Sequence, residues 1–190
     1  MNRRILPALA LCALLAVAIA TASAAPQASG AAPKRSYVIK KCGPGINQPA
    51  RQISANRYRK LIACLIHAER KRKGKPRLKL NKRLTRSARR HSRVMLRKDC
   101  LAPICPGEKH PTERARKKGY FKGYRGGGVA ELWNYGTLWS SSPRQALRIW
   151  KKYPENRAIL YSTGYRHLGV GVVFGRGQEV FLTVDFGYRY

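Results

Sequence analysis

Apolar positions recur at a helical interval over much of the first half of the chain. From about Asn56 to Lys73, residues Tyr58, Leu61, Ile62, Leu65 and Ile66 share one face. Ser54 stands where an N-cap belongs, and Gly74 and Pro76 close the segment. A second helix is predicted from Asn81, its cap, to about Lys98. There Leu84, Ala88, His91 and Met95 form a single narrow stripe, and Arg83, Arg86, Arg89, Arg90, Arg93 and Arg97 take the remaining surface. A short helix capped by Thr112, with Glu113 in its first turn, ends at Gly119-Tyr120. Ser142-Pro143-Arg144-Gln145 opens another long helix with a capping-box pattern and proline at its first position. Its inner face is Ala146, Ile149, Trp150 and Tyr153. Pro154 then turns the chain, and Arg157 to Leu160 add one helical turn.

Toward the C-terminus the period changes to two. Leu168, Val170, Val172 and Phe174 alternate with His167, Gly169, Gly171 and Val173, Gly175-Arg176-Gly177 makes a hairpin turn, and Val180 to Phe186 returns as the partner strand. Gly169 and Gly171 share one face, which admits another backbone at close range. Ser36 to Ala55 reads as extended, with Pro44 and Pro49 opposing a helix. Asp99 to Pro111 reads as an irregular loop, and Arg125 to Gly128 as too glycine-rich for regular structure. Val129 to Leu132 is a short extended or helical piece. These elements predict an α+β protein with helices over a mainly antiparallel sheet.

Two further features set the compartment. Residues 1–24 have the form of a signal peptide: Arg3-Arg4, an apolar run from Ile5 to Ala20, and the small-residue site Ala22-Ser23-Ala24. Leu11 before Cys12 does not suit a lipoprotein, and no second apolar run follows, so no membrane span is expected after cleavage. Residues 25–41 then form a linker and extended N-terminal segment, and 42–190 the folded domain. Cleavage removes one of the five cysteines. The remaining four suit disulfides in an exported chain, and of the three pairings Cys42–Cys64 with Cys100–Cys105 is expected. A zinc site from Cys100, Cys105 and His110 would compete with oxidation of the same thiols.

The formal net charge of +32 draws polyanions of any kind: anionic wall polymer, lipid headgroups or nucleic acid. The basic run Arg70 to Arg77 reads either as an anion-binding patch or as a solvated helix end. Basic residues are spread over every element rather than gathered on a reading surface. This argues against specific nucleic-acid recognition and leaves non-specific binding through charge. Among the eight acids, Glu69, Glu108, Glu113 and Glu155 have surface or helix-end settings. Glu131 lies among apolar residues and needs either an arginine or a metal as partner. His91, on its apolar stripe, reads as a hydrogen-bonded core histidine.

Several segments resemble, in order, the CAP domains (cysteine-rich secretory protein, antigen 5, pathogenesis-related 1) in their exported bacterial form. Ala88-Arg89-Arg90-His91-Ser92 with Met95 is similar to the A-x-x-H-S-x-x-M helix, and Arg114 to Tyr120 to R-x-x-x-x-G-Y. Trp150 to Arg157 resembles the W-x-x-S-P-G-H-R turn, Leu168 to Val172 the I-G-V-G-V strand, and Asp185-Phe186-Gly187 fits the C-terminal signature. The resemblance implies a three-layer α-β-α sandwich whose cleft can gather a divalent metal on two histidines and two acids. His110 matches the first histidine and Glu131 the acid of the G-E-N motif, Tyr153 stands where an acid or serine is usual, and Asn156 replaces the second histidine. The implied cleft is therefore His110, Glu131, Tyr153 and Asn156, with His91, Trp150, Gly169 and Gly171 structural. His110 and Glu131 are the only metal or catalytic candidates, enough to hold a divalent cation weakly but too few ligands for tight zinc. The expected function is a secreted, non-enzymatic protein binding an anionic or amphiphilic extracellular component. A metal-assisted hydrolase using His110 and Glu131 is the alternative, and non-specific nucleic-acid binding a further one.

Overall fold

The computed structural model describes residues 41–190; the predicted leader at 1–24 and all but the last residue of the linker lie outside the described residues. Five helices and four strands follow one another: α1 (Ala55–Arg72), β1 (Lys79–Leu80), α2 (Lys82–Lys98), α3 (Pro111–Lys117), β2 (Gly127–Thr137), α4 (Pro143–Lys152), α5 (Pro154–Tyr161), β3 (His167–Phe174) and β4 (Glu179–Arg189). The sheet order is β1-β3-β4-β2. β4 runs antiparallel to both neighbours, and β1 pairs with β3 in parallel.

Alternation along the strands divides the core in two. Leu132, Leu168, Val170, Val172, Val180, Leu182, Val184 and Phe186 point to the side covered by α1, α4 and α5. There they pack with Ile62, Leu65, Ile66, Trp150 and Leu160. On the other side α2 lies over β3 and β4, with Val94 and Met95 against Phe181. This is the expected three-layer arrangement. Ser54, Asn81 and Ser142 cap α1, α2 and α4 by accepting backbone N–H bonds, as their positions predicted.

Gly169 and Gly171 set the α2 spacing. A Cβ on Gly169 would stand 2.3 Å from the Leu84 carbonyl carbon, and one on Gly171 would stand 2.2 Å from the Arg89 nitrogen. These contacts are with backbone, which cannot swing aside.

Some local expectations change. Residues 44–47 and 50–52 form two short 3-10 turns where an extended run was expected, the first opening on Pro44. The cap of α3 is His110, not Thr112. Pro111 already holds helical φ, and the Thr112 hydroxyl instead accepts from the Val129 N–H at 3.1 Å. The glycine-rich segment is regular in its second half only: β2 begins at Gly127, whose φ of 148° suits glycine and where a Cβ would stand 2.2 Å from the Tyr188 carbonyl oxygen. Helix α5 extends over two turns rather than one.

Arg70, read in the sequence as part of an exposed basic run, is fully buried. Its guanidinium donates to the carbonyls of Leu160 (2.7 Å), Ser162 (2.9 Å) and Pro76 (3.0 Å), which ties α1 to the electronegative end of α5. Glu69 is buried beside it and accepts from Arg72 and Tyr161, with Lys151 at 3.2 Å. Burial raises its pKa, but these partners outweigh burial and hold it at about 2. The surface setting expected for Glu69 is thus replaced by a junction of α1, α4 and α5.

Replacing Gly171 by Ala is expected to cost about 3 kcal/mol or more, since α2 must lift from the sheet to admit the methyl group. Urea unfolding monitored by circular dichroism measures it; a change below about 1 kcal/mol would show that α2 is not held at this spacing.

Candidate functional site

The narrow stripe of α2 delivers His91 into the layer between helix and sheet, where it is fully buried. The loop after α2 is turned back by the Cys100–Cys105 disulfide, and Cys42–Cys64 is the other bridge, so both expected pairings are present. The returning loop sets Glu108 against His91. The Nδ1–H donates to Oε2 at 2.6 Å, and Nε2 faces Glu131 Oε1 at 3.4 Å. Arg114, from α3, donates to the second oxygen of Glu131 and lies 3.8 Å from Glu108. It also donates to the carbonyls of Pro103 (2.8 Å) and Lys109 (3.2 Å), which pins the loop. β2 and β4 pair Glu131 directly with Asp185, which is fully buried, and Ser87 of α2 lies against the Asp185 carboxyl.

Two carboxyls side by side in a dry site cannot both ionise without cost. Burial pushes Asp185 well above its ordinary value, and the neighbouring Glu131 charge adds to the rise. Burial also raises Glu131, but Arg114 and His91 pull it back. The pair therefore retains a proton that two separate carboxyls would release. Around this point His91 Nε2, Ser87 Oγ, Glu131 Oε1 and both Asp185 oxygens lack a hydrogen-bonding protein partner. Buried donors and acceptors of this kind are where internal water is held.

The implied cleft residues do not converge in the same way. Glu131 has arginine as its partner, one of the two options its setting left open. His110 is exposed at the start of α3, and no described bond joins it to Glu131. Tyr153 caps α5 with half its surface in solvent, and Asn156 lies partly exposed in the first turn of α5 without a described side-chain bond. His91 and Trp150 are buried, and the indole N–H donates to the Trp133 carbonyl at 3.0 Å.

A divalent metal does not fit the His110–Glu131 pair, because both Glu131 oxygens are turned to Arg114 and His91. Among the described residues the cluster with metal-binding potential is His91, Cys105 and Glu108, with ligand atoms within 4.8 Å of one another. Cys105 is committed to its disulfide, so it offers no thiolate, and the Arg114 cation stands beside Glu108. The zinc set of Cys100, Cys105 and His110 fails on the same disulfide.

Glu108, expected in a surface or helix-end setting, instead has its side chain buried against His91, and nothing in the sequence joined Arg114 or Asp185 to this cluster. Asp185 shares a strand face with Thr183 and Phe181, so alternation alone would have turned it toward α2. The Glu108 position depends on the disulfide loop and has no periodic signal.

The Cysteine-rich secretory protein (CAP) family matches residues 55–186, and the chain belongs to that family. Among solved structures, an outer surface protein of Borrelia burgdorferi is similar at a TM-score of 0.64 and 17% identity, over 73% of this chain and 97% of that one. An extracellular protein containing an SCP domain from Bacillus anthracis is similar at a TM-score of 0.55 and 20% identity, over 70% of this chain and 43% of that one. At such identity these likenesses concern the fold. No curated protein matches the chain.

Arg114→Met should destabilise the protein by about 3–5 kcal/mol in chemical denaturation, since it strands buried carboxylates. Asp185→Asn should show an opposite, pH-dependent effect. A raised native pKa means that the folded state holds a proton the unfolded chain releases above its ordinary value of 3.8. That contribution is complete below this value and is lost as pH rises toward the raised native one. The Asp185→Asn melting temperature should therefore gain on the wild type as pH climbs from about 4 upward; a constant difference would contradict a proton retained by the Glu131–Asp185 pair.

Proposed function

We propose that this CAP-family chain is exported and acts by binding, without catalysis, to an anionic extracellular component such as a wall polymer or a lipid surface. The observation that carries this reading is the outer face of α2. Lys82, Arg86, Arg89, Arg90, Arg93, Arg97 and Lys98 are all exposed on a helix that contains no acid. Meanwhile Glu69, Glu108, Glu131 and Asp185, half of the eight acids in the chain, are turned inward. The exterior therefore presents more positive charge than composition alone would give, and a field of this kind draws polyanions.

Export is supported by the leader-like residues 1–24 and by the extracellular description of the Bacillus relative. Among the described residues no helix is long and apolar enough to cross a membrane. The hydrolase alternative gains no support from the geometry, because Glu131 is held by Arg114 and His110 stands apart in solvent.

Cosedimentation with phosphatidylglycerol-containing vesicles or isolated wall polymer tests the reading. Affinity should fall at least about tenfold between about 50 and 200 mM salt, as multiple screened contacts require. Salt-independent binding, or none, would reject it. Titration calorimetry with Zn²⁺ should give no binding heat that depends on His110; heat abolished by His110→Ala would restore the metal-assisted reading.

A further inference from the structure

The β3 side of the sheet carries a groove that the buried cluster does not use. β1 covers β3 for two residues only, with Lys79 against His167 and Leu80 against Leu168. The Asn81 N–H donates to the Leu168 carbonyl at 2.9 Å, so the backbone groups of Leu168 face this edge. The two-residue period turns those of Val170 and Val172 the same way, and no described strand pairs with them there. Helices α1 and α2 flank the open edge from the two faces of the sheet. Between them lies a groove of about 590 Å³. That is within the range of small-ligand pockets, roughly 300–1,000 Å³.

Arg59 and Lys60 of α1 line one wall, and Lys82 and Arg86 of α2 the other. Leu80, 63% exposed, lies in the groove with Val170. An adjoining recess shares Arg59 and Arg86 and adds Arg89 and Val172. No acidic residue lines either recess. The lining is thus aliphatic at the base, with long basic side chains whose stems extend the apolar surface and whose heads carry the charge. A bare anion would leave Leu80 in water, and a plain hydrocarbon would leave the cations without an anionic partner, Arg59 being bonded to the neutral Asn56 amide oxygen at 2.6 Å.

We infer that this groove binds one molecule of a single-chain anionic amphiphile with a phosphate monoester head. Its aliphatic chain lies along Leu80 and the lysine and arginine stems, and its head is held between Arg59 and Arg86. Several cations without an acid favour a head bearing more than one negative charge, and arginine matches phosphate geometry. The outward N–H groups of Val170 and Val172 supply further donors at the strand edge. An acidic peptide added as a strand would use those donors too, but it would have no claim on the exposed Leu80. The inference rests on the reading of the protein as a binder of anionic components, and it assigns that activity a site and a ligand class.

Titration calorimetry of the purified protein with decyl phosphate below its micelle concentration tests the site. One saturable site is expected, weakened at least about tenfold in Leu80→Ser and in Arg86→Ser. Both positions are exposed, and circular dichroism checks that the variants fold. Unaltered decyl phosphate binding in both variants overturns the site. Equal affinity for inorganic phosphate, or for uncharged decyl maltoside, overturns the amphiphile. Binding of an acidic decapeptide without binding of decyl phosphate would give the edge to a peptide instead. Wild-type protein that binds vesicles or wall polymer but not decyl phosphate defeats only this inference, whereas failure with all three defeats the broader reading as well.

Discussion

The close approach of α2 to β3 sets the terms for the rest of the molecule. Gly169 and Gly171 remove two side chains from the layer, so the helix backbone at Leu84 and Ala88–Arg89 rests almost on the strand. At that separation small residues suffice beside the larger ones, and Leu84, Ser87, Ala88, His91, Ser92, Val94 and Met95 seal the interface. The remaining surface of α2 is free to be basic. The same contact carries Ser92 to the sheet, where its hydroxyl meets Thr183 at 2.9 Å. Most importantly, it places an imidazole in a dry layer, where a polar group must find partners.

Those partners come from separate parts of the chain. Glu108 arrives on a disulfide-closed loop, Arg114 on α3, Glu131 on β2 and Asp185 on β4. Each is costly to bury alone, and together they offset most of one another's charge, with a proton held by the Glu131–Asp185 pair relieving two carboxyls in register. The cluster joins every element on that side of the sheet. Its charges are paired among its own members and Cys105 is held in a disulfide, which is why the arrangement serves as a structural tie rather than as an open metal centre. Inward use of the acids also leaves the exterior overwhelmingly cationic. Fold and surface charge are therefore linked.

Much of the architecture was legible in the chain. Periodicity located α1, α2, α4, β3 and β4, and Ser54, Asn81 and Ser142 marked where three helices start, because caps and amphipathic faces are local properties. The glycine pair announced a close contact without naming α2 as the neighbour. Less local features were missed. β1 has only two residues and is defined by its partner, and β2 begins in a glycine run whose regularity depends on the facing Tyr188 backbone. Thr112 looks like a cap by its neighbours, yet its hydroxyl is used by Val129 across space.

The sequence by itself determined the α+β class through its periodicity and the excess of positive charge through its composition, while its resemblance to CAP domains implied the family and the three-layer arrangement; of three possible cysteine pairings it left one as the expectation. Only the tertiary structure decided what the chemically active residues do. Glu131 required a partner, but arginine or metal could have answered, and the choice was made by α3 bringing Arg114 to it. Glu69 and Glu108 looked like solvated acids until folding enclosed them, while His110, the residue singled out by motif, remained in water. The physical reason is distance along the chain. Helix faces and caps are set by neighbours a few residues apart, whereas the fate of a buried charge is set by whichever opposite charge the fold brings to it.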